Sequence, residues 1–239
     1  MNRKLITFFI FSLCVLLAAG CATTQGTTEP HDPLEGYNRA VYQFNKDFDD
    51  AIAKPVAKAY QKVTPTWLDK AITNFFSNLD DVVVLANDLL QLKFAQAASD
   101  TARIAFNTTA GLGGFIDVAS HLDLPKHRED FGQTLGYWGV PPGPYFVLPF
   151  LGPSTIRDTG GLGADYALFD PVTNEVKSPA ARNSALVLDF IDTRADYLQA
   201  TELVDEAALD PYVYTREAYL QRRRYYVYDG FPPMEDLDQ

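Results

Sequence analysis

This 239-residue chain is poor in the residues that staple, ligate or bind polyanions: two Cys, two Met, two Trp and three His. Two Cys cannot supply a disulfide framework. None of His31, His121 and His127 stands in H-E-x-x-H spacing, so a zinc site has no visible ligand set. Basic charge is scarce: 20 Lys and Arg against 31 Asp and Glu leave a formal charge of −11, which excludes a nucleic-acid surface built on clustered cations. Beyond residue 20 no apolar run approaches the roughly 20 residues that a membrane-spanning helix needs. Period-two alternation is nearly missing too, and Tyr145 to Phe150 is the one short candidate strand.

What is present is apolar and aromatic. Hydrophobic residues make up 47% of the chain, with 16 Phe and 13 Tyr, far too many for a disordered tail. The length suits one domain or two small ones. Arg3 and Lys4 precede a charge-free segment, Leu5 to Ala19, which reads as a secretory signal over residues 1–20. Its end, Leu17-Ala18-Ala19-Gly20-Cys21, resembles the lipobox of bacterial lipoproteins, with Leu one place further from the Cys than usual. That resemblance implies cleavage before Cys21 and its acylation, which leaves no second Cys in the mature chain. Two or more acyl chains make a stable anchor. Residues 21–31 are then a lipidated Cys and polar tether, and residues 229–239 an acidic tail.

Helix starts are written in one idiom, a capping residue followed by Pro: Asp32-Pro33, Thr64-Pro65, Asp170-Pro171, Ser178-Pro179 and Asp210-Pro211. After Thr64, steps of three and four link Ile72, Phe75, Phe76, Leu79, Val82, Val83, Ala86, Leu89 and Leu90 into one apolar stripe. Residues 94–106 and 179–199 repeat the pattern. The spacing predicts a mainly α fold in one domain over residues 32–228. Such a stripe suits an ordinary buried face more readily than a face laid against lipid. From 111 to 163 Gly and Pro gather, enough for tight turns and close backbone approach. Arg222 to Arg224 beside Tyr225, Tyr226 and Tyr228 suits a membrane interface or a helix C-terminus.

Several short motifs fail. Asp130-Phe131-Gly132 lacks the other signatures of a kinase, and Gly111-Leu112-Gly113-Gly114 follows no predicted strand. Ser154 lies in no G-x-S-x-G turn and reads as a helix cap. His127 reads as a surface or locally bonded histidine, and His127 to Asp130 as an exposed charged loop. No catalytic constellation emerges.

Collinear blocks nevertheless resemble the MlaA (VacJ) family. They include Asp32 to Arg39 with Tyr42, Phe44 and Asn45; Asn87, Leu90 and Gln91; and Asn107 to Asp117. They continue through Asp130 to Gly136, Gly143 to Tyr145, Leu148 to Phe150, Gly152 to Asp158, Ile191 to Ala195, Asp210 to Tyr212 and Arg216 to Tyr219. Two departures stand out: Leu92-Lys93, where a glycine is usual, and Pro141-Pro142, in a usually more flexible loop. The resemblance implies a ring-like arrangement of amphipathic helices around a central amphipathic channel, with Gly/Pro-rich loops, set in the inner leaflet of a bacterial outer membrane. It implies removal of mislocalised phospholipids from the outer leaflet, without a cofactor. The partners it implies are a trimeric porin, a periplasmic lipid carrier and, through that carrier, an inner-membrane ABC transporter. Expected contributors to the channel or its adjoining loop are Gly111, Gly113, Gly114, Phe115, Phe131, Gly136, Trp138, Gly139, Gly143 and Tyr145. Rival readings are a porin-associated structural lipoprotein and a lipid hydrolase using Ser154 and His127.

Overall fold

The capping idiom is obeyed where the cap can reach the free N–H groups of the first turn. In a computed structural model that describes residues 32–233, Asp170, Ser178 and Asp210 each accept a backbone hydrogen bond, and Pro follows each as the first helical residue. The other two pairs differ. Pro65 itself precedes its helix, and Asp32 is buried and turned toward other elements. The signal over 1–20, Cys21, the rest of the tether and residues 234–239 of the acidic tail lie outside the described residues.

Ten α-helices and one short ribbon are described. Helix α1 (Glu35–Phe48) passes through a π-helical turn (Asp49–Ala53) into α2 (Lys54–Val63). The long α3 (Thr66–Leu90) pairs with α4 (Phe94–Thr109) across a tight turn. After a 3-10 turn (Ala119–Leu122) come α5 (Phe131–Tyr137), β1 (Tyr145–Leu148), β2 (Gly152–Thr155) and α6 (Ile156–Ala164). A second π-helical turn (Asp165–Phe169) leads to α7 (Pro171–Glu175), α8 (Pro179–Asp196), α9 (Leu198–Ala207) and α10 (Pro211–Val227).

The predicted strand is present and has an antiparallel partner that the sequence conceals, with Tyr145 opposite Thr155 and Leu148 opposite Gly152. A two-stranded ribbon is unstable alone. Here Asn38 and Asn45, two turns apart on α1, complete its free edge. The Asn38 amide accepts from the Val147 N–H at 2.9 Å and donates to the Tyr145 carbonyl. Asn45 donates to the Leu148 carbonyl at 2.9 Å and accepts from the Phe150 N–H.

Packing closes on itself. Helix α2 lies on α8, α8 on α3, α3 on α5, α5 on α10 and α10 on β2; the ribbon then returns through β1 to α1. Inside that circuit the usual distribution of polarity is inverted. Among the described residues, twenty polar or charged residues are buried against twelve apolar ones, and five of those twelve are alanines. In a water-soluble domain the charged residues are almost never fully buried. The buried face of α3 is Asn78, Asp81, Val84, Asn87 and Asp88, so the expectation of an apolar face turned into the core is corrected. Leu89 and Leu90 of the predicted stripe, with Phe94 and Phe106 of α4, are exposed instead.

Polar bonding around α3 holds the interior together. Asp81 pairs with buried Arg103 of α4, which also donates to the Leu124 carbonyl. The Asn87 amide donates to Asp165 at 2.9 Å and accepts from the Thr134 hydroxyl at 2.8 Å. Gln91 reaches Glu129 and Thr134. No described helix is long and apolar enough to cross a membrane.

Candidate functional site

The helices of the circuit turn polar side chains toward a cavity of about 730 Å³ that opens to the surface. Helical spacing selects its walls. From α3 come Thr73, Ser77, Asp80 and Val84; from α8, Asp189, Asp192, Thr193 and Asp196; from α10, Tyr219, Arg222, Arg223 and Tyr226. Leu148, Leu151 and Pro153 of the ribbon add apolar surface, as do Leu162 and Tyr166. The lining is amphipathic throughout.

At one end stands an ion-pair cluster. The Arg223 guanidinium donates to Asp130 at 2.9 Å and to Asp158 at 2.9 and 3.0 Å. Asp158 also accepts from Tyr219 at 2.8 Å and from its neighbour Arg157. Burial alone would favour neutral carboxyls, but the Arg223 charge overrides it and holds Asp130 and Asp158 below the usual carboxylate range. Gly132 makes room for this cluster, since a Cβ there would stand 2.7 Å from the Asp158 carboxylate and 2.8 Å from Arg223. Arg223 is therefore a wall residue tied into the interior, whereas Arg224 stands in the last turn of α10, as a helix C-terminus favours. Arg222 is exposed, lines the cavity, and has no carboxylate partner among the described residues. Arg128 shares those three properties.

The other side of the cavity is acidic. Asp189, Asp192 and Asp196 share one face of α8 and stand near Asp80 of α3 and Asp170. Burial, then the negative neighbours Asp192 and Asp80, push the Asp189 carboxyl up to about 6. Burial does the same to Asp165, up to about 6, despite hydrogen bonds from the Phe131 N–H and Asn87. No group of three or more His, Cys, Asp or Glu among the described residues is disposed to hold a metal ion.

None of the ten residues named from the sequence lines this cavity. Gly111 packs against the Asn107 and Ile116 carbonyls, while Gly113, Gly114, Gly139 and Gly143 adopt positive φ in turns. Phe115 stacks on Phe75, and Phe131 lies against Phe169. Gly136 sits against Arg157 and Val227. Trp138 is exposed and donates from its indole to the Leu90 carbonyl, whereas Tyr145 is buried beside Tyr212 and Tyr219. The Gly-rich blocks are thus joints of the frame. The sequence does carry the wall in plain view, as the 189-192-193-196 spacing of α8, but acidic residues at helical intervals read equally as a solvated face.

Ser154 and His127 are not brought together. Ser154 is buried in β2 with its hydroxyl on Thr159, and the helix cap is the next residue, Thr155. His127 bonds through Nδ1 to the Asp100 carboxylate at 2.9 Å, as a locally bonded histidine. The loop around it is not an exposed charged one: Glu129 is buried and paired with Lys93 at 2.8 Å.

A family model described as MlaA lipoprotein matches residues 30–226. Curated relatives include the intermembrane phospholipid transport system lipoprotein MlaA of Escherichia coli (strain K12), 39% identical over 92% of this chain and 88% of the relative. The protein of that name from Haemophilus influenzae is 35% identical over 95% and 92%. A solved structure concerned with the maintenance of bacterial outer membrane lipid asymmetry superposes with a TM-score of 0.72. It shares 35% identity and covers 82% of this chain and 98% of its own.

Proposed function

Since the chain belongs to the MlaA lipoprotein family, we propose that it moves phospholipids out of the outer leaflet of the outer membrane, through the cavity, to a periplasmic carrier. The observation that carries this reading is the inverted polarity. A closed circuit of helices has an apolar exterior fit for acyl chains and an amphipathic interior fit for a whole phospholipid. Passage requires no covalent step: the acyl chains slide along Phe76, Leu162 and Tyr166, while the headgroup follows the charged positions. The Trp138 to Tyr145 loop, between α5 and β1, is the loop adjoining the passage. Acylated Cys21 anchors the chain, and the outer-membrane partners are a trimeric porin and, across the periplasm, a carrier feeding an ABC transporter.

Filling the wall tests this. Ser77→Trp or Thr193→Trp places an indole in the cavity, and outer-leaflet phosphatidylethanolamine should then rise, as labelled by a membrane-impermeant amine reagent on intact cells. Val187→Trp, on the outward face of α8, should leave the labelling at the wild-type level. Wild-type labelling in both wall variants, at equal protein abundance, would overturn conduction through this cavity. A structural lipoprotein without transport predicts that outcome.

A further inference from the structure

The cavity wall carries unpaired charges of both signs. Two arginines on its wall, Arg128 and Arg222, face no carboxylate among the described residues, in a chain where acids outnumber bases 31 to 20. Neighbouring Lys126 is already committed, to Asp80 at 2.9 Å and to Asp81. Asp189 and Asp196 of α8 line the same cavity, and neither has a cationic partner among the described residues. Arg128, Arg222 and Asp196 are exposed to the open cavity, so their charges stand free to meet a ligand that brings charges of its own. A further wall residue points the same way: Gln133 is 2% exposed, yet its Oε1 accepts no hydrogen bond from the protein, although its Nε2 is satisfied by the Arg128 carbonyl and Asp130.

We infer that the cavity selects phospholipids with a zwitterionic headgroup, the phosphodiester lying against Arg128 and Arg222 and the ammonium against Asp189 and Asp196. Guanidinium groups recognise the tetrahedral phosphate through forked N–H donors. An ammonium offers donors for carboxylates. An anionic lipid such as phosphatidylglycerol satisfies the arginines equally but brings no cation to the α8 carboxylates, which then repel its net charge. This rests on the transport reading above and adds headgroup discrimination to it.

The test uses the purified full-length protein in neutral detergent, titrated with phosphatidylethanolamine or phosphatidylglycerol of identical acyl chains and read by native mass spectrometry. Wild type should bind phosphatidylethanolamine at least about fivefold more tightly, as expected for a partly screened charge pair. D189N/D196N should erase that ratio without loss of total lipid, and R128Q/R222Q should weaken both lipids. Glycerophosphoethanolamine, the headgroup without acyl chains, should compete only weakly. Equal binding of the two lipids by wild type, or an unchanged ratio in D189N/D196N, overturns the headgroup inference while leaving transport intact. Competition by the soluble headgroup as strong as by the lipid overturns a lipid as its occupant. Failure of wild type to bind either lipid strikes at the transport reading itself.

Discussion

Leu92 shows how one side chain can strain the backbone that carries it. It lies in the turn between α3 and α4 at φ 60°, in the left-handed region where a Cβ crowds the backbone. Glycine, having no Cβ, avoids that crowding. Leu92→Gly should therefore raise the melting temperature in detergent, by a net of about 0.5–1 kcal/mol after the greater freedom of Gly in the unfolded chain is subtracted; a lowered melting temperature would show that the Leu92 side chain contributes more than the strain costs. Asp88 makes a second residue-scale case. It is fully buried at the α3–α4 contact, and burial first, then Asp100 beside it, push its carboxyl up to about 8. An unfolded Asp ionises near 3.9, so the folded chain holds a proton that the unfolded chain releases. The stability this group contributes is full below about pH 4 and is lost as pH rises through about 8, at no more than about 1.4 kcal/mol per pH unit. Asp165 and Asp189 run in the same sense over a lower window, up to about pH 6. Asp130 and Asp158, held low by Arg223, run oppositely, and their contribution is lost on acidification below the ordinary Asp range. Calorimetry should find a melting temperature that falls between pH 6 and 8, and Asp88→Asn should flatten that slope.

At the scale of elements, the helices were legible and their orientation was not. Spacing placed α3, α4 and α8 nearly where they lie, because a 3.6-residue period needs only the contrast between two faces. The same contrast is blind to which face is inside. Asn78, Asp81 and Asp88 look like a solvated edge in the sequence and form the buried one in the structure. Strand β2 stayed hidden because Gly152 and Pro153 both disfavour a strand, and what stabilises the ribbon is remote in sequence: the Asn38 and Asn45 amides on α1 and the packing of α10. Several of the glycines are contacts between elements. Gly161 of α6 lies so close to α5 that a Cβ would meet the Gly132 nitrogen at 2.3 Å, whereas one at Gly160 would meet nothing within 4 Å. The adjacent pair is a matched experiment. Gly161→Ala must push two helices apart, at a cost of about 1–3 kcal/mol or more. Gly160→Ala should stabilise by roughly 0.5–1 kcal/mol through helix propensity. Thermal denaturation of the two variants side by side checks both signs, and equal shifts would contradict the close contact.

For the whole molecule, the question is which solvent the exterior meets. Composition gives 47% hydrophobic residues, an ordinary value, and says nothing of where they sit. Their location does: Trp67 is 71% exposed and Trp138 59%, and exposed Leu, Phe and Val continue around the outer faces of α3, α4 and α8. Water would drive such surfaces together, whereas an acyl-chain environment removes that drive and leaves polar bonding to join the helices. The buried network around α3 is what such a solvent demands, since an apolar interior would gain nothing over lipid. The chain's two Trp are both on this exterior, so intrinsic fluorescence reports the outer surface alone. Reconstituted into bilayers, the protein should emit at shorter wavelength than a water-exposed indole, and acyl chains brominated along their length should quench it strongly while aqueous iodide should not. W67F and W138F separate the two reporters. Trp138, hydrogen-bonded to the Leu90 carbonyl, should be the more uniform in its response, because that bond fixes the ring. Iodide quenching of both indoles with no effect of brominated lipid would place the exterior in water and leave the polar interior without a physical reason.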